Sequence, residues 1–119
     1  MTPKATVRHS GDVAIVDLSG KITLGDGSGL VRGTIKDLLG AGQRNILLNL
    51  KDVTYMDSAG LGEIVGSYAT VANQGGAVKL LNTQGKVKDL LQVTKLYTVF
   101  EAFSDEATAL RSFAAGASA

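Results

Sequence analysis

A chain of 119 residues, 45% of them hydrophobic, is sized for one domain with its own core, and its lack of cysteine excludes disulfides and thiolate metal sites. Twelve basic residues against eleven acidic ones leave a net charge of +1 with no Lys/Arg stripe, which argues against direct nucleic-acid binding through phosphate neutralisation. Met1–Thr6 is polar and no apolar run approaches the length of a membrane span, so a cytoplasmic protein that does not enter a membrane is expected.

In chain order, Ala5–Arg8 and the β-branched run Val13–Leu18 read as two strands joined by a turn at Ser10-Gly11-Asp12. After the flexible segment Gly25-Asp26-Gly27-Ser28-Gly29, apolar residues at Leu30, Val31, Ile35, Leu38 and Leu39 recur at helical spacing and stop at Gly40. The nearly continuous apolar run Asn45–Leu50 predicts a strand covered on both faces. Beyond Ser58, the residues Leu61, Ile64, Val65, Tyr68, Ala69 and Ala72 predict one side of a helix ending at Asn73-Gln74-Gly75-Gly76. Val78–Leu81 returns to the sheet, Val87–Leu91 marks a short helix, and Val99-Phe100 is assigned to an edge strand. A last helix turns Ala107, Leu110 and Phe113 to the core. Strands alternating with helices predict an α/β layered fold. Tyr55 and Phe100 are expected in the core. Residues 114–119, all small, are expected to form a flexible C-terminal tail after a domain spanning 1–113.

The segment Tyr55-Met56-Asp57-Ser58-Ala59-Gly60-Leu61-Gly62 lies between the central strand and the second helix. It puts a serine hydroxyl at a helix N-terminus, where free backbone N–H groups and the helix dipole favour an anion, including a phosphate on the serine itself. Asp and Ser are also the preferred capping residues, so a purely structural cap is the competing account. Two acceptor side chains exceed what one cap needs. Gly60 and Gly62 each cost about 1 kcal/mol in a helix interior, which suggests a place where another protein comes close to Ser58.

The run Asn49–Gly62 closely resembles the signature of the STAS domain family, specifically its bacterial anti-sigma factor antagonists. The resemblance extends from about Val7 to about Leu110 and includes Leu18-Ser19-Gly20-Lys21-Ile22, Gly75–Leu80, Val87–Leu91 and Phe103–Ala107. It implies a single STAS domain with a mixed sheet of about four to five strands and about four packed α-helices. It also implies that Ser58 is phosphorylated, within a partner-binding set of Thr23, Asp26, Asp57, Ser58, Ala59, Gly60, Leu61 and Gly62. The implied partners are an anti-sigma factor with serine kinase activity, whose capture releases a sigma factor, and a serine phosphatase that resets the switch. Thr23 stands where many such antagonists carry an acidic residue, with Asp26 nearby. The alternative is a constitutive STAS interaction module of a signalling assembly or transporter system, with Ser58 as a cap alone. A second copy could pair along the exposed edge of the N-terminal hairpin to give a homodimer.

Catalysis by the chain itself is not expected. A serine nucleophile needs a base, the single histidine, His9, lies in the first strand, and Met56 occupies the position where a nucleophile elbow has glycine. The glycines at 25, 27 and 29 lack both the dinucleotide-binding spacing and the lysine of a phosphate loop. One histidine and scattered acids define no metal geometry, so neither a cofactor nor a metal is expected.

Overall fold

The computed structural model describes residues 2–25 and 27–117. Its elements run β1 (Lys4–Ser10), β2 (Val13–Ile22), α1 (Ser28–Gly40), β3 (Asn45–Met56), α2 (Ser58–Asn73), β4 (Ala77–Leu81), α3 (Gly85–Thr94), a 3-10 turn (Leu96–Thr98), β5 (Ala102–Phe103) and α4 (Glu106–Ala117). The five strands form one sheet in the order β1-β2-β3-β4-β5. The β1–β2 hairpin is antiparallel and the other pairings are parallel, which gives the mixed sheet expected from the sequence. Gly11, at a φ of 58°, allows the tight turn between β1 and β2.

Alternation along the strands separates two apolar layers. On one face Ala14, Val16 and Leu18 of β2, Ile46, Leu48 and Leu50 of β3, and Val78 and Leu80 of β4 pack with α1, α2 and α3. On the other, Val13, Ile15, Leu47 and Leu81 meet Ala109 and Phe113 of α4. Each fully buried Val, Leu or Ile contributes about 1.5–3 kcal/mol. Asn45–Leu50 is therefore covered on both sides, as its unbroken apolar character required.

The face that carries α4 changes character towards the C-terminal ends of the strands. Arg8 on β1 makes two bonds to Asp17 on β2, at 2.6 and 3.0 Å, and two to Glu106 at the start of α4, at 2.8 and 3.4 Å. Asp17 accepts from the Asn49 amide at 2.8 Å, and the oxygen of Asn49 accepts from Asn82 at 2.9 Å. A polar strip thus crosses the sheet from β1 to the residue following β4. The bonds from Arg8, and then that from Asn49, hold the Asp17 carboxyl below the ordinary carboxylate range against partial desolvation.

Several expectations need correction. The edge strand is Ala102–Phe103, not Val99-Phe100. The Phe100 N–H bonds back to the Leu96 carbonyl at 3.2 Å, and its ring is buried edge-on against Tyr68 at 5.2 Å, so the chain is still turning there. Tyr55, expected in the core, is 42% exposed because β3 runs on past the layers that would cover it. On α2 the buried stripe is Gly60, Leu61, Ile64, Ser67 and Val71, while Ala69 and Ala72 are exposed. Ala107 faces solvent, because α4 begins at Glu106 and sets Ala109 and Phe113 inward. That helix continues to Ala117, into the segment expected as a tail, and residues 118–119 lie outside the described residues. Among the described residues no helix is long and apolar enough to cross a membrane.

Candidate functional site

The site begins where two strands outrun the sheet. β4 pairs with β3 only from Asn45 to Asn49, whereas β2 stays paired with β3 to Ile22 and Met56, with register shifts after Asp17 and Gly20. The final residues of β2 and β3 are therefore a two-stranded ribbon. Met56 turns into the core at 3% exposure and anchors the end of that ribbon. Asp57 then has extended geometry (φ −101°, ψ −179°), its N–H donates to the Ile22 carbonyl at 3.4 Å, and α2 starts at the next residue.

Asp57 is the cap of α2. One carboxylate oxygen, Oδ1, accepts from the Gly60 N–H at 2.8 Å, in the standard reach from cap to third helical residue. The other, Oδ2, accepts from the Leu24 N–H at 3.2 Å, in the connection between β2 and α1. The Gly60 bond first, and then the Leu24 bond, hold the Asp57 carboxyl below the ordinary carboxylate range. The same side chain thus closes the helix end and ties down the neighbouring connection.

With the cap taken by Asp57, Ser58 stands exposed in the first turn of α2. Ala59 is half-buried. Gly60 is buried for a reason internal to the fold: a Cβ there would overlap the Ile22 carbonyl oxygen. Its missing side chain serves the packing of α2 on β2. Leu61 is likewise buried in the core at 3% exposure, so its side chain does not face outward. Gly62 is exposed, and a Cβ there would meet nothing within 4 Å.

Thr23, just past the end of β2, is half-buried and forms an isolated bridge with Gly27. Asp26, assigned to the same partner-binding set, lies outside the described residues. Sequence reasoning missed Leu24. Its backbone is fixed by Asp57, yet its side chain is 79% exposed, and Tyr55 adds a second exposed apolar surface at the end of the ribbon. A lone leucine amid loop residues carries no periodic signal that could have singled it out.

Elsewhere, a groove of about 690 Å³ lies between α1 and α2, with Ile35 and Leu39 among its walls and Arg32 and Glu63 at its lining. Among the described residues no three His, Cys, Asp or Glu side chains are grouped as a metal would require, and His9 is exposed on β1.

The fold is thus an α/β domain in which the end of the longest strand leads into an exposed serine at a helix N-terminus. Residues 4–109 match the model of the STAS domain, and the chain belongs to that family, one of non-enzymatic binding proteins. It is 31% identical to the anti-sigma F factor antagonist of Paenibacillus polymyxa over 111 residues, covering 92% of this chain and 94% of that one. It is 44% identical to the anti-sigma-B factor antagonist of Bacillus subtilis over 52 residues, covering 44% of this chain and 48% of that one. Among solved structures, an anti-sigma factor antagonist from Mycobacterium paratuberculosis superposes with a TM-score of 0.83 at 16% identity, covering 93% of each chain, which establishes the shared fold.

Proposed function

We propose that this chain is an anti-sigma factor antagonist of the cytoplasm, which in its unmodified form binds an anti-sigma factor that is also an ATP-dependent serine kinase, and so frees a sigma factor. Phosphorylation of Ser58 ends the interaction, and a serine phosphatase restores it. The observation that carries this reading is the division of labour at the start of α2: Asp57 makes the cap and Ser58 remains exposed. A serine needed only as a cap would have to do what Asp57 already does.

In the transfer, the Ser58 oxygen bonds to the γ-phosphorus of ATP while the bond from that phosphorus to the β–γ bridging oxygen breaks. ADP leaves, and the hydroxyl proton passes to a base of the kinase or to solvent. The product carries about −1.5 to −2 charges at neutral pH, which the first turn of a helix tolerates. Against an acidic group of the partner about 4 Å away, each pair of unit charges costs roughly 4 kcal/mol at an effective dielectric constant near 20. That amounts to about a thousandfold in affinity, at 1.4 kcal/mol per decade. Thr23, Asp57, Ala59 and Gly62 flank Ser58 in this reading and form the rim of the contact.

The test is capture of partners from a lysate of the source organism with wild type, Ser58→Ala and Ser58→Glu, followed by mapping of phosphate after addition of ATP. The expected result is an ATP-binding anti-sigma factor held by wild type and Ser58→Ala, lost by Ser58→Glu, with phosphate on Ser58 of the wild type. If all three hold the same partner and Ser58 is never modified, the chain is a constitutive interaction module.

A further inference from the structure

The Asp57 carboxylate divides its two oxygens between a donor three residues along its own helix and a donor on a different connection, the Leu24 N–H. Of these bonds the one to Leu24 is the longer, at 3.2 Å against 2.8 Å. The residue it restrains presents a leucine side chain that is 79% exposed, an unusual expense of apolar surface on a domain whose other leucines are largely buried. The residue beside the carboxylate is the serine proposed as the switch.

We propose that Asp57 is a positioning residue that holds Leu24 out beside Ser58 as an apolar contact for the partner, and that a phosphate on Ser58 withdraws this hold. The proposal rests on the reading of Ser58 as a phosphorylation switch. A phosphoserine adjacent to Asp57 places two anions at one helix end, competing for the same few N–H donors. Relief comes from rotation or displacement of the Asp57 side chain, and the longer bond, spanning two separate connections, yields before the local cap. Leu24 then loses its fixed position, and the partner must supply the entropy of ordering it again. Phosphorylation would act twice, by charge repulsion at Ser58 and by release of an apolar anchor.

The decisive measurement is backbone ¹⁵N relaxation on the full chain, unmodified and with phosphoserine inserted at position 58 during translation. The expected result is a Leu24 amide order parameter falling from about 0.85 to below about 0.6, with Gly60 nearly unchanged. In Asp57→Asn, whose amide group cannot accept from Leu24 while its oxygen caps Gly60, Leu24 should be loose before modification and phosphoserine should change it no further. An unchanged Leu24 amide in the phosphorylated wild type overturns the proposal, as does an equal loosening step in Asp57→Asn. Should Asp57→Asn fail to fold, the comparison of the two wild-type forms decides alone. Leu24→Ser should weaken capture of the anti-sigma factor retained by the unmodified chain at least about tenfold, a loss of the size expected for one buried apolar side chain. Undiminished capture removes the anchor role. Because the phosphoserine is placed without a kinase, the relaxation result is independent of the functional reading, which fails separately if wild type captures no anti-sigma factor.

Discussion

The carbonyl oxygen of Ile22 occupies the space that a side chain on Gly60 would need. The obstacle is backbone at the end of a paired strand, so it cannot turn aside as a flexible side chain would. Gly60→Ala is expected to destabilise the domain by about 1–3 kcal/mol or more, the usual cost of overpacking. Gly62→Ala, in open space on the same helix, should be neutral or stabilising by up to about 1 kcal/mol from helix propensity alone. Urea unfolding of the two variants checks the contrast. Equal effects would mean that α2 does not pack on β2 as described.

Ser58→Asp should leave the fold intact. A negative charge in the first turn interacts favourably with the helix dipole by about 0.3–1 kcal/mol, offset here by the neighbouring Asp57 carboxylate. Thermal unfolding should therefore place Ser58→Asp and Ser58→Ala within about 1 kcal/mol of wild type. A large loss of stability in Ser58→Asp would move the effect of phosphorylation from the interface to the fold itself.

Acidification should weaken the protein in a defined direction. Asp17, Asp57 and Asp105 all have carboxyls held below their ordinary value of 3.8, by Arg8, by the Gly60 and Leu24 N–H groups, and by Thr108 respectively. Each therefore binds its proton more readily when unfolded, so its contribution is complete above about pH 4 and is lost as pH falls through the lower folded values. The urea midpoint should fall from pH 4 towards pH 2, and more shallowly in Asp57→Asn. A midpoint that rises over this range would contradict the three hydrogen-bonded carboxylates.

Lys79 enters the layer beneath α4 with only 8% exposure, its ammonium 3.0 Å from the Ser112 hydroxyl and 4.8 Å from the centre of the Phe113 ring. Its acidic neighbour Glu101, at 3.5 Å, is 66% exposed and remains solvated without it. Lys79→Met keeps the stem and removes a desolvated charge, so it should be neutral or stabilising by about 1–4 kcal/mol. Lys79→Ala should instead cost about 2 kcal/mol or more through the void left among Phe103 and Phe113. Calorimetric unfolding would separate the two, and a strongly destabilised Lys79→Met would assign the cation a larger part in holding α4.

The order of elements was legible because strand and helix periodicities alternate cleanly, and the central run Asn45–Leu50 admits only a position covered on both faces. The start of α2 at Ser58 was legible because Asp57 and Ser58 are helix-capping residues placed before an apolar run of helical spacing. The assignment of the cap to Asp57 was not, since both side chains are competent and only the bond from the Gly60 N–H to the Asp57 carboxylate decides between them. The two glycines looked alike in sequence yet differ in what lies opposite, Ile22 for Gly60 and open space for Gly62. Val99-Phe100 has strand-like residues, but the 3-10 turn at Leu96–Thr98 carries Phe100 inward and leaves the pairing to the next segment.

The band of Arg8, Asp17, Asn49 and Asn82 makes part of a broad sheet surface unattractive to any chain that would lie flat upon it. A stacking neighbour would have to strip water from a carboxylate and two amides already committed to one another, at several kcal/mol unless it brought matching groups. Flat adhesion is disfavoured there, whereas the point where the two longest strands end and the second helix begins lies outside that committed band.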